Sequence, residues 1–322
     1  MVQFIRVALL LLACGALNAH SQTYPTKPVR LVVPFAPGGT TEVLARIIGQ
    51  KLGEQLGQQM IIDNRPGASG SLGATIAAKS SPDGYTLLLT SLSPIVINVN
   101  MYAGKGPYDP EKDLAPISLI TKVPSVITTP INTSYRTVKD IIAAAKTNPN
   151  KLSYGSSGTG SVNHLIGELF RLAAGIDLLH IPYKGAGPAM IALLSKEVDM
   201  IIASPVAIMS QVRNGQVRAI AVSGAKRAPA LPDVPTISES GVPGFDSTAW
   251  YCMMAPAGTP RPIIDRVRNA LAQAMQTPAV TERLNAEGAV PEPTTPEELL
   301  KLIKSDRRLW AKAVEISGAK LD

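Results

Sequence analysis

Two glycine-rich turns carry the residue types with which a protein backbone binds an anion. The first, FAPGGTT at residues 35–41, lies between an apolar run at residues 29–33 and a helical pattern over residues 42–56. Gly38 and Gly39 leave the main chain bare, and the helix that follows offers unpaired N–H groups and the positive end of its dipole. The turn therefore predicts a site for a carboxylate or a phosphate, although a purely structural turn is the simpler explanation of one isolated Pro-Gly-Gly.

The second turn, YGSSGTGSVNHL at residues 154–165, again joins a strand to a helix. Its three glycines and four hydroxyls form a donor-rich cradle that suits a second oxygen-bearing group. Two such cradles predict a clamp around one small ligand. Nucleotide binding is disfavoured, because neither turn closes with Gly-Lys-Ser or Gly-Lys-Thr and neither has the Gly-x-Gly-x-x-Gly fingerprint followed by a ribose-binding acid.

Catalytic and metal-binding interpretations have weaker support in the sequence. The chain has three histidines, of which His164 and His180 are not spaced as metal ligands, so we expect no metal, no cofactor and no catalytic residues. Ser156 or Ser161 with His164 as base is the remaining nucleophilic arrangement. This arrangement lacks a Gly-x-Ser-x-Gly elbow and an identifiable orienting acid, so catalysis is disfavoured. A secreted serine hydrolase acting on a small ester is therefore kept only as the alternative function.

Length and composition fit a globular chain with room for two domains. The chain has 322 residues, of which 45% are hydrophobic and 17% are charged. Its formal net charge is +7, but the charges are dispersed, and short basic groups such as residues 226–227 have no stacking aromatics beside them. We therefore expect no nucleic-acid partner, while an anionic small molecule remains compatible with the charge.

The first 21 residues have the pattern of a secretory signal. Arg6 precedes an apolar run at residues 7–17 that is too short to span a bilayer, and Ala19-His20-Ser21 forms a small-x-small cleavage site. Lipoprotein anchoring through Cys14 is the less favoured alternative, because Leu12, the second leucine of Leu11-Leu12-Ala13-Cys14, is atypical of the motif whose cysteine is acylated. Cleavage leaves Cys252 as the lone cysteine, so the sequence predicts an exported, soluble chain without an internal disulfide.

Strand-like and helical runs alternate along the chain in a βαβ pattern that occurs twice. This pattern predicts two mostly parallel α/β halves, with ligands bound beyond the carboxyl ends of the strands. Since there is no low-complexity linker, extended strands near residues 122–130 and 245–255 are expected to connect the halves as a hinge. The predicted division is residues 22–124 plus 250–322 for domain 1 and residues 125–249 for domain 2.

Several motifs in order along the chain resemble the Bug family, the periplasmic receptors of tripartite tricarboxylate transporters. They are VVPFAPGGTTEVLAR at 32–46, DNRPGASGSLG at 63–73, SSPDGYTL at 80–87, YGSSGTGSVNHL at 154–165, HIPYKG at 180–185 and WYCMMAPAGTP at 250–260. The resemblance implies a two-domain Venus-flytrap fold and a receptor that captures a small carboxylate. It also implies a periplasmic location, membrane transporter subunits as partners, and a chain that works as a monomer.

The resemblance further implies which residues contact the ligand, partly through ordered water, which tolerates ligands of different length. Lys184 is either a cation beside the cleft or an ordinary surface lysine. The residues implied are Phe35, Ala36, Pro37, Gly38, Gly39, Thr40, Thr41, Ser91, Ser93, Ser156, Ser157, Gly158, Thr159, Gly160, Ser161, Tyr183, Lys184 and Gly185.

The chain departs from the family pattern at three places. Glu42 stands where the family usually has aspartate, and we expect it to cap the helix; reaching into the cleft is the alternative. Cys252 replaces a common glycine after the Trp-Tyr pair, and residues 200–204 lack the acidic residue often found there. These departures predict a ligand that differs from the amino acids and simple diacids of other members.

Overall fold

The computed structural model describes residues 24–318 and contains two five-stranded sheets. The predicted signal at residues 1–21 and its Cys14 lie outside the described residues. The strands are β1 (Val29–Val33), β2 (Met60–Asn64), β3 (Thr86–Ser91), β4 (Leu114–Pro124), β5 (Val126–Pro130), β6 (Ser153–Ser156), β7 (Leu179–Pro182), β8 (Met200–Ala203), β9 (Val217–Val222) and β10 (Thr248–Pro256).

Helices connect and cover the strands, and many begin at signals visible in the sequence. Thr137 and Thr295 each form a reciprocal capping box with an acidic residue three positions later. The helices are α1 (Thr40–Leu56), α2 (Ser71–Ala78), α3 (Asn98–Met101), α4 (Pro110–Asp113), α5 (Val138–Thr147), α6 (Val162–Ala174), α7 (Ala186–Leu194), α8 (Pro205–Arg213), α9 (Arg261–Gln276), α10 (Pro278–Ala286) and α11 (Pro296–Ser317), with a 3₁₀ turn at Ala68–Gly70 and a π-helical turn at Ser93–Ile97.

Both sheets are mixed, but in each of them a single strand, β10 or β5, runs against the other four, so the predicted predominance of parallel strands is confirmed. The first sheet has the order β2-β1-β3-β10-β4; β1 is parallel to β2 and β3, whereas β10 is antiparallel to β3 and β4. The second has the order β7-β6-β8-β5-β9, with β5 antiparallel to both neighbours. The antiparallel pairs arise because the strands that cross between the halves return through the middle of each sheet. The two α/β halves themselves were predicted correctly.

Hydroxyl hydrogen bonds tie the two crossings together. The first crossing is direct, since β4 ends at Pro124 and β5 begins at Val126. The amide of Ser125 between them donates to the Ser223 hydroxyl at 2.9 Å, and that hydroxyl donates to the Ser247 carbonyl just before β10 at 2.5 Å. The crossings therefore lie side by side, which is the arrangement a hinge requires.

Apolar side chains are buried against both sheets, with one cluster of them extending across the two halves, and the last helix also spans both halves. Leu31, Leu88 and Met253 are fully buried in the first sheet, and Ile201 and Val222 are fully buried in the second. Helix α11 packs against β4 of the first half and also against α6 of the second. Within residues 24–318 no helix has both the length and the apolar character needed to cross a membrane.

Candidate functional site

The two glycine-rich turns lie at the carboxyl ends of β1 and β6, where the halves meet. The amide of Ala36 in the first turn donates to the Lys184 carbonyl of the second half at 3.2 Å. The amide of Val162, next to the second turn, donates to the Ser93 hydroxyl of the first half at 2.8 Å. Each turn thus contacts a different loop of the opposite half, and the two share one small cavity between them.

This inner cavity, of about 20 Å³, has a lining rich in hydroxyl groups. Its volume is sufficient for about one water molecule. It is lined by Phe35, Gly39, Thr40, Thr41, Ser91, Ser93, Ser157, Ser161, Val162, Asn163, Ala186 and Tyr251. Both helix starts, at α1 and α6, therefore contribute to one polar chamber.

A buried group of hydroxyls joins the halves beside the inner cavity. The Thr40 hydroxyl lies 2.5 Å from the Ser204 hydroxyl of the second half. Burial raises the pKa of the Tyr251 phenol, while hydrogen bonds with Thr40 and Ser204 act in the opposite direction. The tyrosine is therefore neutral and serves as a hydrogen-bonding group at the floor of the cleft.

An outer cavity of about 260 Å³ lies nearer to solvent and has room for a small organic acid. Among the described residues that line it, Lys184 alone has a charged side chain, and Lys184 is also exposed to solvent. Among the ion pairs of residues 24–318 none involves Lys184. The lining consists of Phe35, Gly67, Ala68, Ser69, Gly70, Tyr102, Ser157, Gly158, Thr159, Pro182, Tyr183 and Lys184.

Glu42 acts within its own helix terminus. Its carboxylate accepts the Gly38 amide hydrogen at 3.3 Å and pairs with Arg46, and the residue is 4% exposed. Gly38 has the left-handed φ of 81° that glycine tolerates, whereas Gly39 is extended with a φ of −91°. The conformational requirement for glycine therefore falls on Gly38, and Glu42 holds that residue in place.

The second turn is held from behind by two stacked histidines. The ring centroids of His164 and His180 lie 3.9 Å apart. His180 Nε2 is 2.7 Å from the Ser156 hydroxyl, and the Gly160 amide donates to His164 Nδ1 at 3.1 Å. Because that amide donates to it, Nδ1 of His164 carries no proton, so the turn is fixed by an uncharged imidazole.

Burial keeps both imidazoles neutral. It lowers the pKa of His164, and burial together with the neighbouring His164 lowers the pKa of His180 to about 3. The Ser156 hydroxyl is fully buried and lines neither cavity, so its contact with His180 does not produce an accessible nucleophile. Over residues 24–318 no group of three or more His, Cys, Asp or Glu side chains is arranged to hold a metal ion.

The structure divides the residues predicted from the sequence into a lining set and a supporting set. Twelve of them line one or both cavities. The other six lie behind the lining or in its turns and line neither cavity: Ala36, Pro37, Gly38, Ser156, Gly160 and Gly185.

Sequence reasoning missed a third strand-to-helix turn, Gly67–Gly70, which lines the outer cavity. The Pro-Gly-Ala-Ser-Gly sequence after β2 was an available signal, since it places two glycines between a strand and a helix, as the other two turns do. No local signal marked Tyr102 or Ser204, because chain folding alone brings them to the cleft. Asn163 and Tyr251 lie in the motifs at 154–165 and 250–260 but were not assigned to the ligand.

Two α/β halves joined by crossing strands, with polar turns meeting in the cleft between them, define a periplasmic solute-binding protein fold. The sequence profile described as tripartite tricarboxylate transporter family receptor matches residues 44–318. The chain belongs to that family, which confirms the resemblance stated from its motifs.

Relatives cover nearly the whole chain. BugT of Bordetella pertussis is 38% identical over 307 residues, which make up 95% of this chain and 94% of BugT. An R. palustris protein solved with adipate has a TM-score of 0.89 at 35% identity and covers 92% of this chain and 99% of its own. MatC from Rhodopseudomonas palustris with bound malate has a TM-score of 0.85 at 33% identity, covering 90% and 100%. These likenesses confirm a solute-binding receptor fold.

Proposed function

We propose that the chain is an extracytoplasmic receptor that captures a small carboxylate in the cleft between its halves. The observation that carries this proposal is the lining of the two cavities: it holds hydroxyls, turn amides and Lys184, and no acidic side chain among the described residues. Such a lining donates hydrogen bonds and does not repel an anion. The adipate and malate seen in two relatives belong to the same chemical class.

The ligand lies in the outer cavity, with one carboxylate directed towards the inner cavity. The inner cavity is too small for the ligand itself, so a water molecule there bridges the lining hydroxyls and the carboxylate by hydrogen bonds. Lys184 attracts the other end of an acid from the mouth of the cleft. The proposed contact set is the twelve lining residues predicted from the sequence, joined by residues 67–70, Asn163 and Tyr251.

Delivery to a membrane partner completes the proposal. The leader at residues 1–21 directs export, and the mature chain works as a monomer in the periplasm with transporter subunits of the tripartite tricarboxylate type. Domain 1 comprises residues 22–124 and 250–322, and domain 2 comprises residues 125–249. The chain performs no catalysis, which is supported by the burial of Ser156 and by the binding-protein relatives.

A thermal-shift screen tests the receptor proposal. The chain is expressed with its own leader, purified from the periplasm, stripped of ligand by partial unfolding, and mixed with organic acids that include adipate and malate. Binding to the folded state alone raises the melting temperature, so at least one carboxylate is expected to raise it in proportion to the logarithm of its concentration. No shift with any acid, combined with hydrolysis of small esters, would replace the receptor by the hydrolase.

A further inference from the structure

The turn at residues 67–70 has an unusual backbone. Four consecutive residues have positive φ: Gly67 at 147°, Ala68 at 44°, Ser69 at 48° and Gly70 at 92°. Glycine tolerates these angles, but Ala68 and Ser69 carry a Cβ that the left-handed region disfavours. Such a backbone persists only where its surroundings hold it, and an outlier of this kind points to a function for the segment.

Asn98, at the start of α3, holds this turn from below. Its side chain is buried, and Nδ2 donates to the Ala68 carbonyl at 3.3 Å, the Ser69 carbonyl at 3.1 Å and the Ser71 hydroxyl at 2.8 Å. Carbonyl oxygens only accept, so the amide nitrogen has to face them. The Oδ1 atom of Asn98 is buried without a partner, so this amide acts on its surroundings through the hydrogen bonds of its nitrogen.

The Ser69 side chain reaches across the cleft. Its hydroxyl donates to the Thr159 carbonyl in the second glycine-rich turn. A Cβ on Gly158 would come within 2.8 Å of Ser69 Oγ, so the approach depends on a glycine at that position. Ser69 is 8% exposed and also lines the outer cavity, which places its hydrogen bond at the edge of the proposed ligand site.

We propose that Ser69 is a latch that ties the two halves in the closed cleft, and that Asn98 is the positioning residue that keeps Ser69 aimed at Thr159. The left-handed backbone directs the hydroxyl across the cleft, and the buried amide prevents the turn from relaxing away. Breaking the latch increases the rate at which the cleft opens. The consequence for ligand release rests on the proposed receptor function, whereas the consequence for closure does not.

Closure is measured first without ligand, by fluorescence energy transfer between dyes on Lys146→Cys in α5 and Gln276→Cys in α9. Both positions are exposed on opposite halves, and Cys252 is fully buried and does not compete for label. Loss of one neutral hydrogen bond lowers the ratio of closed to open molecules about two- to tenfold in Ser69→Ala. The control Ser305→Ala removes a hydroxyl that bonds within α11 and leaves the ratio unchanged.

A second variant separates the latch from backbone strain. Ser69→Gly also removes the hydroxyl but suits the left-handed backbone, so its melting temperature exceeds that of Ser69→Ala. The latch predicts the same fall in the closed fraction for both variants. A closed fraction that follows the melting temperature, or that equals the wild-type value in both variants, overturns the latch.

The positioning role of Asn98 is tested with a double-mutant cycle. Asn98→Ala lowers the closed ratio, and adding Ser69→Ala causes little further change, because both remove the same cross-cleft bond. Additive effects would show that Asn98 is merely structural.

Ligand release is measured separately. Stopped-flow dissociation of adipate, or of the acid found by the thermal screen, is expected to be about two- to tenfold faster in Ser69→Ala than in wild type. If wild type binds no acid, the receptor proposal fails while the closure result still decides the latch.

Discussion

At the residue scale, Gly187 in the first turn of α7 is placed where any side chain would strike the opposite half. A Cβ there would lie 2.3 Å from the Pro37 carbonyl oxygen, well inside contact distance. That oxygen belongs to rigid main chain in the first glycine-rich turn and cannot move aside cheaply. Gly187 is therefore a requirement of the closed cleft and not of either half alone.

Gly187→Ala is expected to weaken carboxylate binding while sparing the fold. The clash costs about 1–3 kcal/mol in the closed state, which corresponds to roughly 5- to 150-fold in Kd. Isothermal titration measures the Kd, and the melting temperature without ligand should change little. Gly49→Ala in the middle of α1 is the matched control, since its Cβ meets its nearest atoms at an ordinary 3.8 Å. Equal Kd values for the two variants would contradict the closing contact.

The second glycine-rich turn acts through its backbone more than through its side chains. Gly158→Val places a branched side chain against Ser69 and the Tyr183 carbonyl at a φ of 122°, and should abolish binding. Ser157→Ala removes one hydroxyl, which accepts the bond that the Asn163 amide donates at 2.9 Å, and should weaken ligand binding by about 0.5–1.5 kcal/mol. Titration of both variants checks the ranking, and equal tolerance of the two changes would count against the backbone role.

The buried histidines predict a loss of stability in acid. Because the pKa of His180 is about 3 in the folded chain and about 6.5 when unfolded, only the unfolded chain binds the proton between those values. The contribution is complete above pH 6.5 and is lost as the pH falls towards 3, with a slope of at most about 1.4 kcal/mol per pH unit. Urea unfolding at pH 7, 5.5 and 4 should show a smaller decline for His180→Gln than for wild type. The same decline in both would remove His180 as a cause.

At the element scale, the start of α1 is stabilised by its own third residue. Glu42 holds the Gly38 amide and Arg46, so Glu42→Gln keeps an acceptor for the amide but loses the ion pair. The expected effect is a loss of about 0.3–1 kcal/mol in unfolding free energy, with carboxylate affinity nearly unchanged. Calorimetry and titration of the variant check the two parts. A fall in carboxylate affinity of more than tenfold would show that Glu42 contacts the ligand.

Elements with local start and stop signals were predictable from the sequence. Helix α6 follows the second glycine-rich turn, where the sequence predicts a helix, and runs from Val162 to Ala174 because Ser161 caps it and Gly175 ends it in the left-handed conformation. The position of β10 between β3 and β4 was not predictable, because strand order depends on contacts between distant segments. Its antiparallel pairing makes the first sheet mixed, as that of β5 makes the second sheet mixed.

The residues of the candidate site likewise include some that the local sequence predicted and others that it did not. The two glycine-rich turns were found because a turn between a strand and a helix has a local composition. Ser156 was assigned to the ligand, yet its hydroxyl faces His180, since the direction of a side chain in such a turn is set by what packs behind it. Ser204 meets Thr40 at the cleft and carries no motif of its own, and Tyr251 lies in the motif at 250–260 but was not assigned to the ligand.

At the scale of the whole molecule, the function depends on two halves that meet across a polar cleft. Hydrogen bonds from Ala36, Ser69 and Thr40 cross between the halves, and the paired crossings beside Ser125 keep them in register. The account predicts that a ligand is recognised as an anion enclosed by this closure. Charge, and not only shape, should therefore decide which molecules bind.

Isothermal titration of the ligand-free wild-type chain with paired compounds tests this claim most directly. Each carboxylic acid of the panel, including adipate and malate, is titrated beside its neutral amide, which has nearly the same shape. The account predicts saturable binding with one molecule per chain for at least one acid, and binding at least about tenfold weaker for its amide, since a charge-assisted hydrogen bond contributes about 1.5–3 kcal/mol. A well-folded chain that binds an amide as tightly as its acid, or that binds no acid at all, would contradict it.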